Sequence, residues 1–179
     1  MPAAGMAAKD IIELLRGGDR RSIGRSDQVA RIVASRPRLF AKLIAALWSD
    51  DLLVRMRAAD AAEKVTRTSP QLLGPYKKHL LGLMKEASEQ ELRWHLAAMI
   101  PRLRLTPQER NEAAATLFRY LDDRSSIVKT SALQGLADLT GQSARMRPAL
   151  IEILRQAARS GTPAMRARSR KLLLQFDRE

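Results

Sequence analysis

The chain has 179 residues and no cysteine, so disulfides, thiolate catalysis and cysteine-ligated zinc or iron–sulfur sites are excluded. Apolar residues, mainly Ala and Leu, make up 45% while aromatic and β-branched residues are few, which points to one all-α globular domain with room for a continuous core. The formal net charge of +13 gathers at the ends, with seven Arg against two Asp in residues 16–38 and nine basic residues against three acids in 145–179; such a field attracts acidic proteins, nucleic acid or anionic lipid.

The opening stretch MPAAGMAAKDIIELL has no charged lead followed by an apolar run, and no later run approaches a membrane span. A monomeric cytoplasmic protein, with no membrane partner, is the expectation. Residues 8–16 read as a short helix, 17–27 (GGDRRSIGRSD) as a loop, and 27–35, with Val29, Ile32 and Val33, as a second short helix. This is an incomplete unit, 8–36.

From Pro37 the pattern becomes periodic. A helix B begins near Val54 and carries Val54, Ala58, Ala61, Ala62 and Val65 on one stripe. The same offsets give Leu92, Leu96, Met99, Ile100 and Leu103, then Val128, Ala132, Gly135, Leu136 and Leu139, then Met165, Ser169, Leu172, Leu173 and Phe176. A helix A precedes each one. Leu43, Leu80, Leu117 and Leu154 recur every 37 residues, and Leu47, Met84, Leu121 and Ala158 keep the same interval. Pro37, Pro75, Pro107 and Pro148 stand at or near the A-helix starts. The A-to-B turns at 49–51, 87–91, 122–126 and 159–163 each offer Ser, Asp or Thr as an N-cap. The units are therefore placed at 37–68, 70–104, 107–141 and 147–176. A lone hairpin cannot bury both its faces, so such units stack on one another.

The 37-residue pitch, the Asp-rich turn and the apolar-then-basic start of helix B resemble HEAT-like repeats. The matching pairs are Val54-Arg55, Leu92-Arg93, Val128-Lys129 and Met165-Arg166. The resemblance covers 37–176 closely and 8–36 loosely. It implies a right-handed α-α solenoid of four to five hairpins, with the B helices lining a concave surface. It also implies that the basic residue of each pair bonds an acid in an adjacent turn, which assigns Arg55, Arg93 and Lys129 to a structural ladder. Arg166 follows a turn, Ser160-Gly161-Thr162, that holds no acid. It is the member left for an external anion, with Arg168, Arg170 and Lys171 around it.

Opposite the apolar stripes run Met56, Trp94, Thr130 and Ala167. Trp94 either offers a stacking or anchoring surface or folds over a neighbouring helix. His95 sits at the edge of its stripe as a neutral side chain. Trp48 closes the first full A helix against Ser49-Asp50-Asp51. Pro101 bends or ends the third B helix. Arg57 reads as a member of a solvated mixed-charge face, with Asp60, Lys64, Glu63 and Arg67 at pairing distance along the helix. No metal-ligand spacing, phosphate loop or nucleophile triad can be assembled, so neither cofactor nor metal is expected. The function expected is a non-catalytic scaffold for an acidic protein, with Arg57, Trp94, His95, Arg166, Arg168, Arg170 and Lys171 as its contact residues. The alternative is a nucleic-acid binder. A more remote one, by analogy with HEAT-like alkylpurine DNA glycosylases, is an enzyme using Trp48, Trp94 and Asp60.

Overall fold

Helices are the only regular secondary structure among the residues the computed structural model describes, 8–19 and 21–177. The reading of residues 1–7 as no secretory signal falls outside them. In chain order the helices are α1 (Ala8–Glu13), α2 (Ser26–Ser35), α3 (Phe40–Ala45), α4 (Leu52–Thr68), α5 (Lys77–Glu86), α6 (Gln90–Met99), α7 (Pro107–Tyr120), α8 (Ser126–Thr140), α9 (Arg147–Ser160) and α10 (Pro163–Phe176). Short 3-10 turns extend α3 at both ends, lead into α5 and α9, and finish α6. The chain divides into two compact units, one ending at Tyr76 and the other beginning at Lys77.

The helix starts follow local chemistry. Asp51 accepts the N–H groups of Leu53 and Val54. Thr106 and Glu109 form a reciprocal capping box with Pro107 in the first turn. Ser125 caps Val128, and Thr162 caps Met165. The turn before α6 departs from this. Its N-cap is Glu89, which makes no side-chain capping bond, while the Ser88 hydroxyl donates to the Glu89 carboxylate at 3.1 Å. Pro101 ends α6 as its missing N–H requires: the regular helix stops at Met99, and Ile100–Arg102 tighten to a 3-10 turn.

In the first unit α4 is the central element, packed against α2, α3 and the turns at 46–48 and 70–76. Its whole predicted stripe is buried: Val54, Ala58, Ala61 and Ala62 at 0% exposure and Val65 at 3%. Burial continues past the stripe to Arg57, Ala59, Glu63 and Thr66. Small side chains let the neighbours close in around most of this helix. In the second unit α6, α8 and α10 pack in succession, α5 lies on α7, and each A helix packs on the B helix that follows it. Leu43, Leu80, Leu117 and Leu154 are all at 0% exposure, so the 37-residue interval marks core positions in both units. The companion series is less complete, because Leu121 and Ala158 are only half-buried. On α10 Ser169 and Leu172 are buried, while Met165, Leu173 and Phe176 stay half-buried.

Candidate functional site

Most of the side chains expected from the sequence to contact a partner lie on α6 and α10 of the second unit, with α8 packed between them. The helices are held close by small residues. A Cβ on Gly135 of α8 would lie 2.6 Å from the Ala97 carbonyl oxygen of α6, so only glycine fits there. On α6, Trp94 is half-buried and stands edge-on to His95, with ring centroids 5.4 Å apart. It offers part of an indole face to solvent and spends the rest on packing. His95 is buried at 8% exposure, inside the stripe and not at a wet edge.

A polar chain crosses from α10 to α8. Arg168 Nη1 donates to Gln134 Oε1 at 2.7 Å, and Gln134 Nε2 donates to Asp138 Oδ1 at 2.7 Å. Beside it opens a cleft of about 490 Å³, with Gln134, Asp138, Thr140, Arg147, Gln175 and Phe176 among its lining. The Arg147 guanidinium lies 5.0 Å above the Phe176 ring, and its Nη2 donates to the Phe176 carbonyl at 2.6 Å. That carbonyl is one of the last of α10, where no intrahelical donor follows and the helix dipole favours a cation. The cleft thus combines a guanidinium, a carboxylate, two amides and an aromatic ring. That set suits the polar side chains of a peptide. Among the described residues no three His, Asp or Glu side chains come together as metal ligands.

No protein-family model matches this chain, and no curated protein matches it. Its site must be read from its own side chains.

The basic residues of the B-helix starts have diverged in role. Arg93 forms the expected rung, pairing with Asp123 and donating to the Ser88 carbonyl. Asp123, with 5% of its side chain exposed, also accepts the Ser125 N–H at 2.7 Å. Lys129 breaks the pattern: it is half-buried and has no ion-pair partner among the described residues, and the next turn, Ser160-Gly161-Thr162, offers no acid. Arg55 is half-buried. Arg166 is half-buried too, and its Nη1 donates to the Gly161 carbonyl at 3.2 Å, closing its own turn. Arg170 and Lys171 are exposed. The basic group expected on α10 is therefore two solvated cations beside two tethered ones.

Arg57 requires a correction. It is 1% exposed and faces no solvent. Its guanidinium donates to the main-chain carbonyls of Leu15, Gly17, Asp19 and Ser22 at 2.5–3.2 Å. Residues 14–19 and 21–25 fold over this side of α4 and convert an expected contact residue into an internal one. Asp60, expected to pair with Arg57, instead accepts from the Ser26 hydroxyl and from Lys64 Nζ, the latter at 2.6 Å. Trp48 is 47% exposed at the end of its 3-10 turn. Glu63 and Arg67 do pair, at 2.6 Å, but the Glu63 side chain is only 6% exposed while Arg67 is 62% exposed.

Sequence reasoning missed a second set of links, those that join polar side chains to main chain or side chain about one repeat away. Tyr120 Oη donates to the Met84 carbonyl at 2.6 Å, satisfying a C-terminal carbonyl of α5, and burial pushes the phenol's pKa well up. Gln142 Nε2 donates to the carbonyls of Pro101 and Leu103 at 2.8 and 3.0 Å, tying down the turn that follows α6. Lys77 pairs with Glu109 and Lys85 with Glu112, at 2.7 and 2.6 Å. The Ser126 and Thr162 hydroxyls meet at 2.7 Å across two successive A-to-B turns. The available signal was their sequence separation, 27 to 41 residues, close to the repeat pitch.

Proposed function

We propose that this chain is a right-handed α-α solenoid of HEAT-like hairpins, and that it serves as a non-catalytic scaffold for an acidic protein partner bound along its B helices. The observation that carries the reading is the outward row of α6, α8 and α10. There the half-exposed Trp94 indole is followed by Gln134, Arg168 and the solvated Lys171. Tryptophan and arginine are residue types that protein interfaces favour at their energetic centres. The fully buried leucines at constant pitch and the links reaching across one repeat support the repeat assignment. The tethering of Asp60 by Ser26 and Lys64 lends no support to a glycosylase-like role.

The Trp48→Phe variant leaves Trp94 as the chain's sole tryptophan and so makes its emission a site reporter. Titration with a glutamate-rich peptide is expected to shift that emission saturably. Arg168→Glu with Lys171→Glu is expected to weaken binding about tenfold or more, as charge reversal at an interface does. No response to the peptide would refute the acidic-protein reading. The exposed Arg21, Arg25, Arg31 and Arg38 favour a second reading, nucleic acid. Under it duplex DNA would bind, and its affinity would fall by roughly 10³–10⁵ between 50 and 200 mM salt if six to ten phosphates were contacted.

A further inference from the structure

We propose that the first unit holds a site for a phosphate-type oxyanion in the cleft over Arg57. The cleft measures about 420 Å³ and is formed by the loop that follows α1 together with the Arg57 side chain. A guanidinium has five N–H donors. Four of those of Arg57 are spent on main-chain carbonyls, and no carboxylate pairs with it among the described residues. The fifth belongs to Nη2. Carbonyl dipoles offset a buried cation only in part, and an unpaired charge away from water is costly. Arg57 lies beneath the cleft at 1% exposure, so it gives the cleft its positive charge and not a direct contact.

The loop is built to bring donors to that place. Gly17 and Gly18 have positive φ, 67° and 81°. A Cβ on Gly24, at φ 54°, would lie 2.8 Å from Arg57 Cζ, so the backbone rests directly on the guanidinium. The N–H groups of Gly17, Gly18 and Asp19 find no acceptor among the described residues, and all three residues line the cleft. Consecutive unfilled N–H groups in a turn make an anion-binding concavity. Arg16 and Arg25 add exposed cations at the rim. Of the two acids in the lining, Glu13 pairs with Arg16 at 3.2 Å, so those two charges cancel, while Asp19 meets a neutral main-chain donor, the Arg21 N–H at 2.9 Å; Arg25 and Arg57 still outnumber it. Three main-chain N–H groups and the Arg25 side chain outnumber the two oxygens of a carboxylate, whereas a tetrahedral anion has more acceptor oxygens to give them. The ligand is accordingly a phosphoryl group, carried either by a small phosphorylated molecule or by a nucleic-acid backbone. This assignment is independent of the acidic-partner reading, which concerns the second unit.

The test is calorimetric titration of the full chain with inorganic pyrophosphate. Saturable binding is expected. Arg25→Ala, which removes an exposed side chain and leaves the Arg57 clamp intact, is expected to weaken it about tenfold, the value of one charge-assisted hydrogen bond. Arg155→Ala, a surface change on α9, is expected to leave it unaltered. Absence of saturable binding, equal losses in both variants, or acetate binding as tightly as pyrophosphate would overturn the proposal. Displacement of pyrophosphate by an oligonucleotide without terminal phosphates supports the site with a nucleic-acid source. Failure of that displacement supports it with a small phosphorylated ligand.

Discussion

The two units are stitched in different ways. In the second, the stitches are many and similar. Arg93 to Asp123, Ser126 to Thr162, Lys77 to Glu109 and Lys85 to Glu112 each join side chains about one repeat apart. Most are half-exposed, and none carries the fold alone. The first unit has links of that kind too, Ser26 to Asp60 and Asp27 to Lys64, and adds one that the second lacks among the described residues: Arg57 gathers four carbonyls of a glycine-containing loop onto α4. A periodic region spreads its polar cohesion over equivalent positions. An irregular loop has no equivalents and is gathered by a buried cation, because the loop's own carbonyls have no helix or strand to bond them.

This contrast predicts an ordered set of effects. Arg57→Ala should be the most damaging change, costing about 3–5 kcal/mol, since it leaves four carbonyls without their donor in a buried site. Urea denaturation gives the total, and hydrogen exchange should show amides in 14–25 losing protection first. A loss below about 1 kcal/mol would mean that the loop does not depend on the clamp. Gly135→Ala in the second unit should cost less, about 1–3 kcal/mol, because α6 and α8 must separate to admit the methyl group. A drop in the urea midpoint at constant slope would report it. A neutral result would show that the two helices are not in close contact.

The smallest effect is in the exposed ion pairs. Hydrogen bonding from Lys77, then from the Thr106 main chain, holds the Glu109 carboxyl below the usual range. Lys85, then Gln108, does the same to Glu112. Their folded pKa values lie below the unfolded ones. The stability they contribute is thus fully present above the unfolded carboxylate range and is lost as the pH falls through that range and below it. Both groups are solvated, so the contribution is small and should fade in high salt. Melting temperature followed across that window should show a slightly shallower fall in Glu112→Gln than in the wild type. Identical slopes would mean that the Lys85 pair contributes nothing measurable.

Much of the fold was legible before any coordinates. Leu43, Leu80, Leu117 and Leu154 declare themselves by interval alone, and every one is buried. Asp51, Ser125 and Thr162 cap the helices at the turns their residue types suggested. The stop at Pro101 needs only the missing N–H of proline. The candidate site was legible less evenly. Arg168, Arg170 and Lys171 lie where a helical wheel puts them, but Arg168 is engaged with Gln134, and His95 is inside. Lys129 stands at the start of α8 as Arg93 does at the start of α6 and lacks its rung, because the turn after α9 has no acid to match Asp123.

What the sequence determined by itself is what depends on neighbours within a turn or two: helix periods, caps, breaks, and the leucines that a 3.6-residue rhythm turns inward. Tertiary structure decided which charged groups are internal. Arg57 and Asp60 look like an ordinary surface pair three residues apart. The carbonyls that hold Arg57, and Ser26 on Asp60, lie 34 to 42 residues away, and only chain closure brings those within hydrogen-bond reach; Lys64, four residues from Asp60, is the local exception. Burial and long-range pairing are set by what folds over a helix face, and the face itself carries no record of that.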